Sequence, residues 1–221
     1  MATRSAQESA HPFMQAKHLA FLVFGLLLIV VWVTRDNLLL QPGSVLRQRY
    51  APIAWLVMLH GVPGALALFL APFQFSNRLR QRHTQLHRII GRIYVGCVAV
   101  SAPVAIKIST ILVLPTLLMA SVIQSFGWMV TTATAIYCVR TGRIQQHRDW
   151  MMRSYPFAVV FVIVRAIVAI PAVARTGELG LATVVWSVIA TACFLPSFLI
   201  AWKSLAQTKS AVRRAAPPAL N

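Results

Sequence analysis

Six stretches of the chain stay apolar for long enough to cross about 30 Å of hydrocarbon: residues 18 to 34, 52 to 73, 89 to 107, 116 to 139, 154 to 174 and 181 to 202. Polar residues collect between them in short clusters. Inside a bilayer each span has to satisfy its own backbone N–H and C=O groups, so the pattern predicts an all-α, polytopic transmembrane helical bundle of about six spans. The least marked boundary is residues 108 to 115, where Lys107, Ser109, Thr110 and Pro115 alone interrupt a long apolar run; it is expected to be a tight outer turn. Gly61, Pro63 and Gly64 in the second span, Pro103 in the third, Pro171 in the fifth and Pro196 in the sixth are helix breakers that a bundle tolerates where neighbours satisfy the freed carbonyls. No small-residue cleavage site follows the first run before Arg35 and Asp36, so that run is expected to remain as a helix. Residues 1–205 would form a single domain, and residues 206–221, with Arg213, Arg214, Pro217 and Pro218, a disordered basic tail lying against anionic lipid.

Composition agrees with lipid as the solvent: 58% of the 221 residues are hydrophobic, against roughly 45–50% in soluble domains. The formal charge of +17 raises the question of nucleic acid. Basic residues that alternate with long uncharged runs do not form the continuous patch such a partner needs, so none is expected. Sorted by loop, Arg4, Lys17, Arg78, Arg80, Arg82, Arg88, Arg92, Arg140, Arg143, Arg148, Arg153, Lys203, Lys209, Arg213 and Arg214 fall on one side, and only Arg35, Arg47, Arg49, Lys107 and Arg175 on the other. The positive-inside rule places the rich side, with both termini, in the cytoplasm. The four acids, Glu8, Asp36, Asp149 and Glu178, all lie outside the spans. That argues against a carboxylate proton relay within the membrane. Cys97, Cys138 and Cys193 have no metal-type spacing and read as small buried hydrophobes.

An internal repeat organises the candidate chemistry. Gln85-Leu86-His87-Arg88 followed by Arg92-Ile93-Tyr94 precedes the third span, and Gln145-Gln146-His147-Arg148 followed by Arg153-Ser154-Tyr155 precedes the fifth. If the copies are equivalent, spans two to three and four to five are parallel versions of one hairpin. His87 and His147 would then stand at the cytoplasmic mouth, either as interfacial residues against headgroups and helix ends or as ligands to haem iron, zinc or copper. Arg88, Arg92, Arg148 and Arg153 could hold the anionic groups of such a ligand. His83 and His87 make an HxxxH pair, which with His147 could form a three-histidine metal site if the loop is helical. Deeper in the bundle, His60 and Arg165 are ionisable groups at costly depth. Ser121, Gln124, Ser125, Trp128 and Thr132 give the fourth span a polar stripe that could face them or could mediate helix packing. No Ser-His-acid triad, phosphate loop, dinucleotide fingerprint or carboxylate pair is present.

His60-Gly61, Ala67-Leu68, Ala71-Pro72-Phe73-Gln74-Phe75, Leu79-Arg80, Leu86-His87-Arg88 and Gly91-Arg92-Ile93-Tyr94, with His147-Arg148, Trp150-Met151, Arg153-Ser154-Tyr155 and Arg165, resemble a bacterial membrane-protein family catalogued as domain of unknown function 2306. The resemblance covers about residues 55–170. It departs at Ala71, where a Gly often precedes the Pro, and at His83, which matches no histidine of the pattern and so weakens the three-histidine site. The resemblance implies a multi-pass protein of the bacterial cytoplasmic (inner) membrane, and its architecture is distantly similar to that of transmembrane b-type cytochromes. That similarity points to a redox or cofactor-binding protein in which His87 and His147 hold haem b or contact a quinone, with His60, Gln124 and Arg165 lining a second polar pocket. A small-molecule transporter using that pocket and a non-catalytic assembly component are the alternatives. Whether the chain is an enzyme is left open by the residues.

Overall fold

The computed structural model describes Gly43, residues 45–112 and residues 115–215; the first expected span, residues 18 to 34, lies outside them. The described chain is helical, with no strand. In order it forms α1 (Val45–Tyr50), a 3-10 turn (Ala51–Ile53), α2 (Ala54–Gln74), α3 (Asn77–Arg82), α4 (Thr84–Ile111), α5 (Pro115–Arg140), α6 (Ile144–Val168), α7 (Pro171–Ala174) and α8 (Gly177–Ala215). Five of these segments are long and apolar enough to span a bilayer: Arg47–Gln74, Thr84–Ile111, Thr116–Arg140, Ile144–Val168 and Gly177–Ala206. They alternate in direction, so α4 and α6 run parallel to one another and antiparallel to α2, α5 and α8. One end of the bundle carries the arginine-rich α2–α4 and α5–α6 connections and the other, sparse in charge, carries α1, α7 and the α4–α5 connection.

Local chemistry sets the ends. At the α2–α4 corner Ser76 is extended and its hydroxyl accepts the Leu79 N–H at 3.3 Å, an N-cap that starts α3 anew after the Phe73-Gln74-Phe75 turn. At the α5–α6 corner Gly142 takes φ +75°, and the bonds Arg143 N–H to Cys138 O (2.8 Å) and Gly142 N–H to Val139 O (3.3 Å) complete a Schellman stop. Of the five expected spans within the described residues, one moves. The fifth was expected over residues 154 to 174, but α6 occupies Ile144–Val168. Pro171 disfavours helix at the residue before it, and Ile170 is extended at ψ 122°. The stretch after Ala206, expected to be disordered, is helical as far as Ala215, because Ala, Gln, Lys and Arg favour helix and no breaker occurs before Pro217.

Helices pack through small residues and expose large apolar ones, as lipid solvation allows. Ala67, Ala71 and Ala135 are fully buried, whereas Trp55, Phe194 and Leu179 face outward. One core joins α2, α4, α5 and α6 through Ala67, Leu68, Ala71, Tyr94, Val98, Trp128 and Phe157. A second joins α5, α6 and α8 through Ala120, Val160, Val164, Val188 and Ile189. Gly127 makes the α5–α6 approach possible: a Cβ there would lie 2.7 Å from the Phe157 ring.

Candidate functional site

The two repeats meet in register. Tyr94 and Ser154 stand 60 residues apart, and their hydroxyls are 2.8 Å from each other. The same offset separates His87 from His147, each seven residues earlier on its helix. Two turns along parallel helices is about 10 Å, so both histidines stand at one height on the basic end. His87 lies within electrostatic reach of His147, Arg80 and Arg88.

Each imidazole is held differently. His147 places Nδ1 2.8 Å from the Ala135 carbonyl of α5. A carbonyl can only accept, so Nδ1 carries a proton, and in the neutral ring Nε2 is then the acceptor nitrogen. His87 is fixed through its backbone: Gln74, the buried glutamine of the Phe-Gln-Phe turn, donates from Nε2 to the His87 carbonyl at 3.1 Å. Gly91, one turn on, leaves room for that amide, whose Oε1 would be 3.5 Å from a Cβ there. The Nδ1 of His87 is buried and has no hydrogen-bond partner among the described residues.

The four expected anion-holding arginines differ in exposure. Arg88, Arg92 and Arg148 are exposed. Arg153 instead ties α6 to α8, donating from Nε to Ser197 Oγ at 3.2 Å while its guanidinium lies 4.8 Å over the Trp150 ring. His83 is the junction between α3 and α4. Among the described residues no three His, Cys, Asp or Glu side chains come together as a metal site requires.

Beneath the histidines lies a buried polar ring. Thr132 Oγ1 donates to the Trp128 carbonyl at 2.7 Å and is 2.7 Å from Ser154 Oγ. Trp128 Nε1 donates to Tyr94 OH at 3.0 Å. The single proton of Thr132 is given to a carbonyl, so Ser154 must donate to Thr132 and Tyr94 to Ser154. The circuit runs from the Trp128 indole through three hydroxyls to the Trp128 backbone. Its signal in the sequence was the Tyr94 and Ser154 positions of the repeat, which mark no chemistry until the helices are paired.

The polar residues of the deeper set are placed apart. On α2, His60 Nδ1 is 3.0 Å from the Ser101 carbonyl, and Ser101 Oγ donates to the His60 carbonyl at 2.9 Å. Gln124 donates to the Phe157 carbonyl at 3.1 Å. Arg165 is exposed in the last turn of α6 rather than mid-span, a consequence of the early end at Val168. Phe161 bridges two of the three: its ring is 5.4 Å from that of His60 and 5.9 Å from the Arg165 guanidinium. The rest of the α5 stripe also faces helix neighbours, Ser121 through Ser109 Oγ at 2.8 Å.

The motif residues therefore touch: Gln74 binds His87, Tyr94 binds Ser154, and Phe75 stacks edge-on against Tyr155 at 5.7 Å. No curated protein and no solved structure matches the chain. A family model described as "Predicted membrane protein (DUF2306)" matches residues 57–204, from α2 through most of α8 and so beyond the stretch over which the motifs were recognised. The chain belongs to this family of membrane proteins.

Proposed function

We propose that the protein is a membrane redox or cofactor-binding protein of the bacterial cytoplasmic membrane, with its basic end in the cytoplasm, and that His87 and His147 hold haem b or the polar head of a quinone there. The observation that carries this reading is the pairing of an imidazole whose Nδ1 is anchored on a backbone carbonyl with a second, level imidazole whose buried Nδ1 lacks a partner among the described residues. An anchored Nδ1 with a presented Nε2 is the usual arrangement of a ligating histidine. Arg80 and Arg88, near enough to act on His87, supply cations for propionates or a reduced quinone oxygen. Such a group, when bound, supplies electron exchange; the chain supplies ligation, orientation and charge. The transport reading draws less support, because His60 and Gln124 direct polar atoms at backbone carbonyls of neighbouring helices, as packing requires.

The test is an absorption spectrum of the detergent-purified protein, air-oxidised and then dithionite-reduced, with haem content and solvent-extracted quinone measured on the same sample. A Soret band with reduced α and β bands, or stoichiometric quinone, is expected in the wild type and absent from His87→Ala and His147→Ala. A folded, haem-replete preparation with neither group, or a double variant that keeps its full complement, would overturn the proposal.

A further inference from the structure

At the opposite, charge-sparse end the structure contains a hollow of about 350 Å³, within the size range of small-molecule sites. It is lined by Arg49, Leu117, Val168, Ala174, Glu178 and Leu181, among others. Four elements close it, α1, α5, α6 and α8, with α7 along one edge. Four of these six side chains are apolar. The walls are apolar except for one cation and Glu178, one of only four acids in the chain.

Arg49 is tethered to the C-terminal end of α4 and Glu178 to the first turn of α5. Arg49 donates from its guanidinium to the Leu112 carbonyl at 3.1 Å, and a Glu178 carboxylate oxygen accepts from Thr116 Oγ1 at 2.9 Å. Each bond occupies part of its group: a guanidinium has five N–H donors and a carboxylate about four lone-pair sites. Among the described residues, donors and acceptors therefore remain for a second partner. The hollow lies where α4, α5, α6 and α8 have their ends, the level at which headgroups meet helix termini.

We infer that this hollow is a binding site for a zwitterion, Arg49 receiving a phosphate or carboxylate and Glu178 an ammonium group. An anion alone would meet Glu178 and a cation alone Arg49, so opposite charges on one apolar-walled cavity select a molecule carrying both. The chemistry is that of the phosphoethanolamine headgroup of a membrane lipid or of a free amino acid. The site is separate from the histidine pair and does not depend on its role.

The experiment is native mass spectrometry and titration of the full chain with short-chain phosphatidylethanolamine, phosphatidylglycerol and free glycine. Phosphatidylethanolamine is expected to bind at least tenfold more tightly than phosphatidylglycerol. Glu178→Gln should erase that preference, Arg49→Gln should weaken binding about tenfold, the scale of a lost charge-assisted bond, and Arg49→Lys should restore part of it. Ala174→Phe, which fills the hollow without altering charge, should block binding. Glycine competing at equal strength assigns the site to a free zwitterion, whereas its failure to compete assigns the site to lipid. Equal binding of both lipids in the wild type, or unchanged selectivity in Glu178→Gln and Ala174→Phe proteins that remain monodisperse, would overturn the inference.

Discussion

Replacing Tyr94 by Phe removes one oxygen from the centre of the bundle and opens the hydroxyl circuit at two points. The Trp128 indole N–H loses its acceptor at 3.0 Å and Ser154 loses its donor at 2.8 Å. Side-chain hydrogen bonds between membrane helices average about 0.6 kcal/mol and reach about 1.7, and an orphaned buried donor costs about 1–3 kcal/mol. Tyr94 and Ser154 are both 0% exposed, so water cannot replace the lost partner, and the expected destabilisation is about 2 kcal/mol. For a chain of this length that corresponds to roughly 4–8 °C in the unfolding midpoint. The assay is reversible denaturation in mixed micelles for wild type, Tyr94→Phe, Ser154→Ala and the double variant. Because the circuit is cooperative, the second substitution should cost about 1 kcal/mol less in the background of the first. Additivity within about 0.3 kcal/mol, or a Tyr94→Phe protein as stable as wild type, would refute the circuit.

Gly127→Ala should destabilise by about 1–3 kcal/mol, since its Cβ would meet the Phe157 ring at 2.7 Å, whereas Gly91→Ala, 3.5 Å from Gln74, should be close to neutral; similar losses at both sites in the same denaturation assay would contradict the close-approach argument. Gln74→Leu should cost about 0.6–1.7 kcal/mol through the lost bond to the His87 carbonyl, and a stability equal to wild type would show that this bond does not hold the corner. In a chain whose three cysteines are replaced by Ala, Arg143→Cys should react with an impermeant maleimide only in opened cells and Arg175→Cys in intact ones; the reverse pattern would invert the proposed orientation.

Hydropathy alone determined that the chain crosses a membrane repeatedly as helices, and it placed four of the five described spans closely, because lipid imposes a minimum apolar length that composition reveals directly. The division of arginines between the two ends was equally legible, as were the residues that matter at the basic corner: Gln74, His87, Tyr94, His147 and Ser154 all belong to the motifs. The sequence could not show what each of them faces. A helix surrounded by lipid is apolar on every side, so the pattern of polar and apolar positions does not mark its inward face. Only helix rotation and register sent Trp128 and Thr132 to Tyr94 and Ser154 instead of to His60, and turned Arg153 towards Ser197. Arg165 illustrates the same division. Its charge was visible at once, but its depth depended on where Pro171 ended the helix, and its neighbour on how α2 and α6 pack around Phe161.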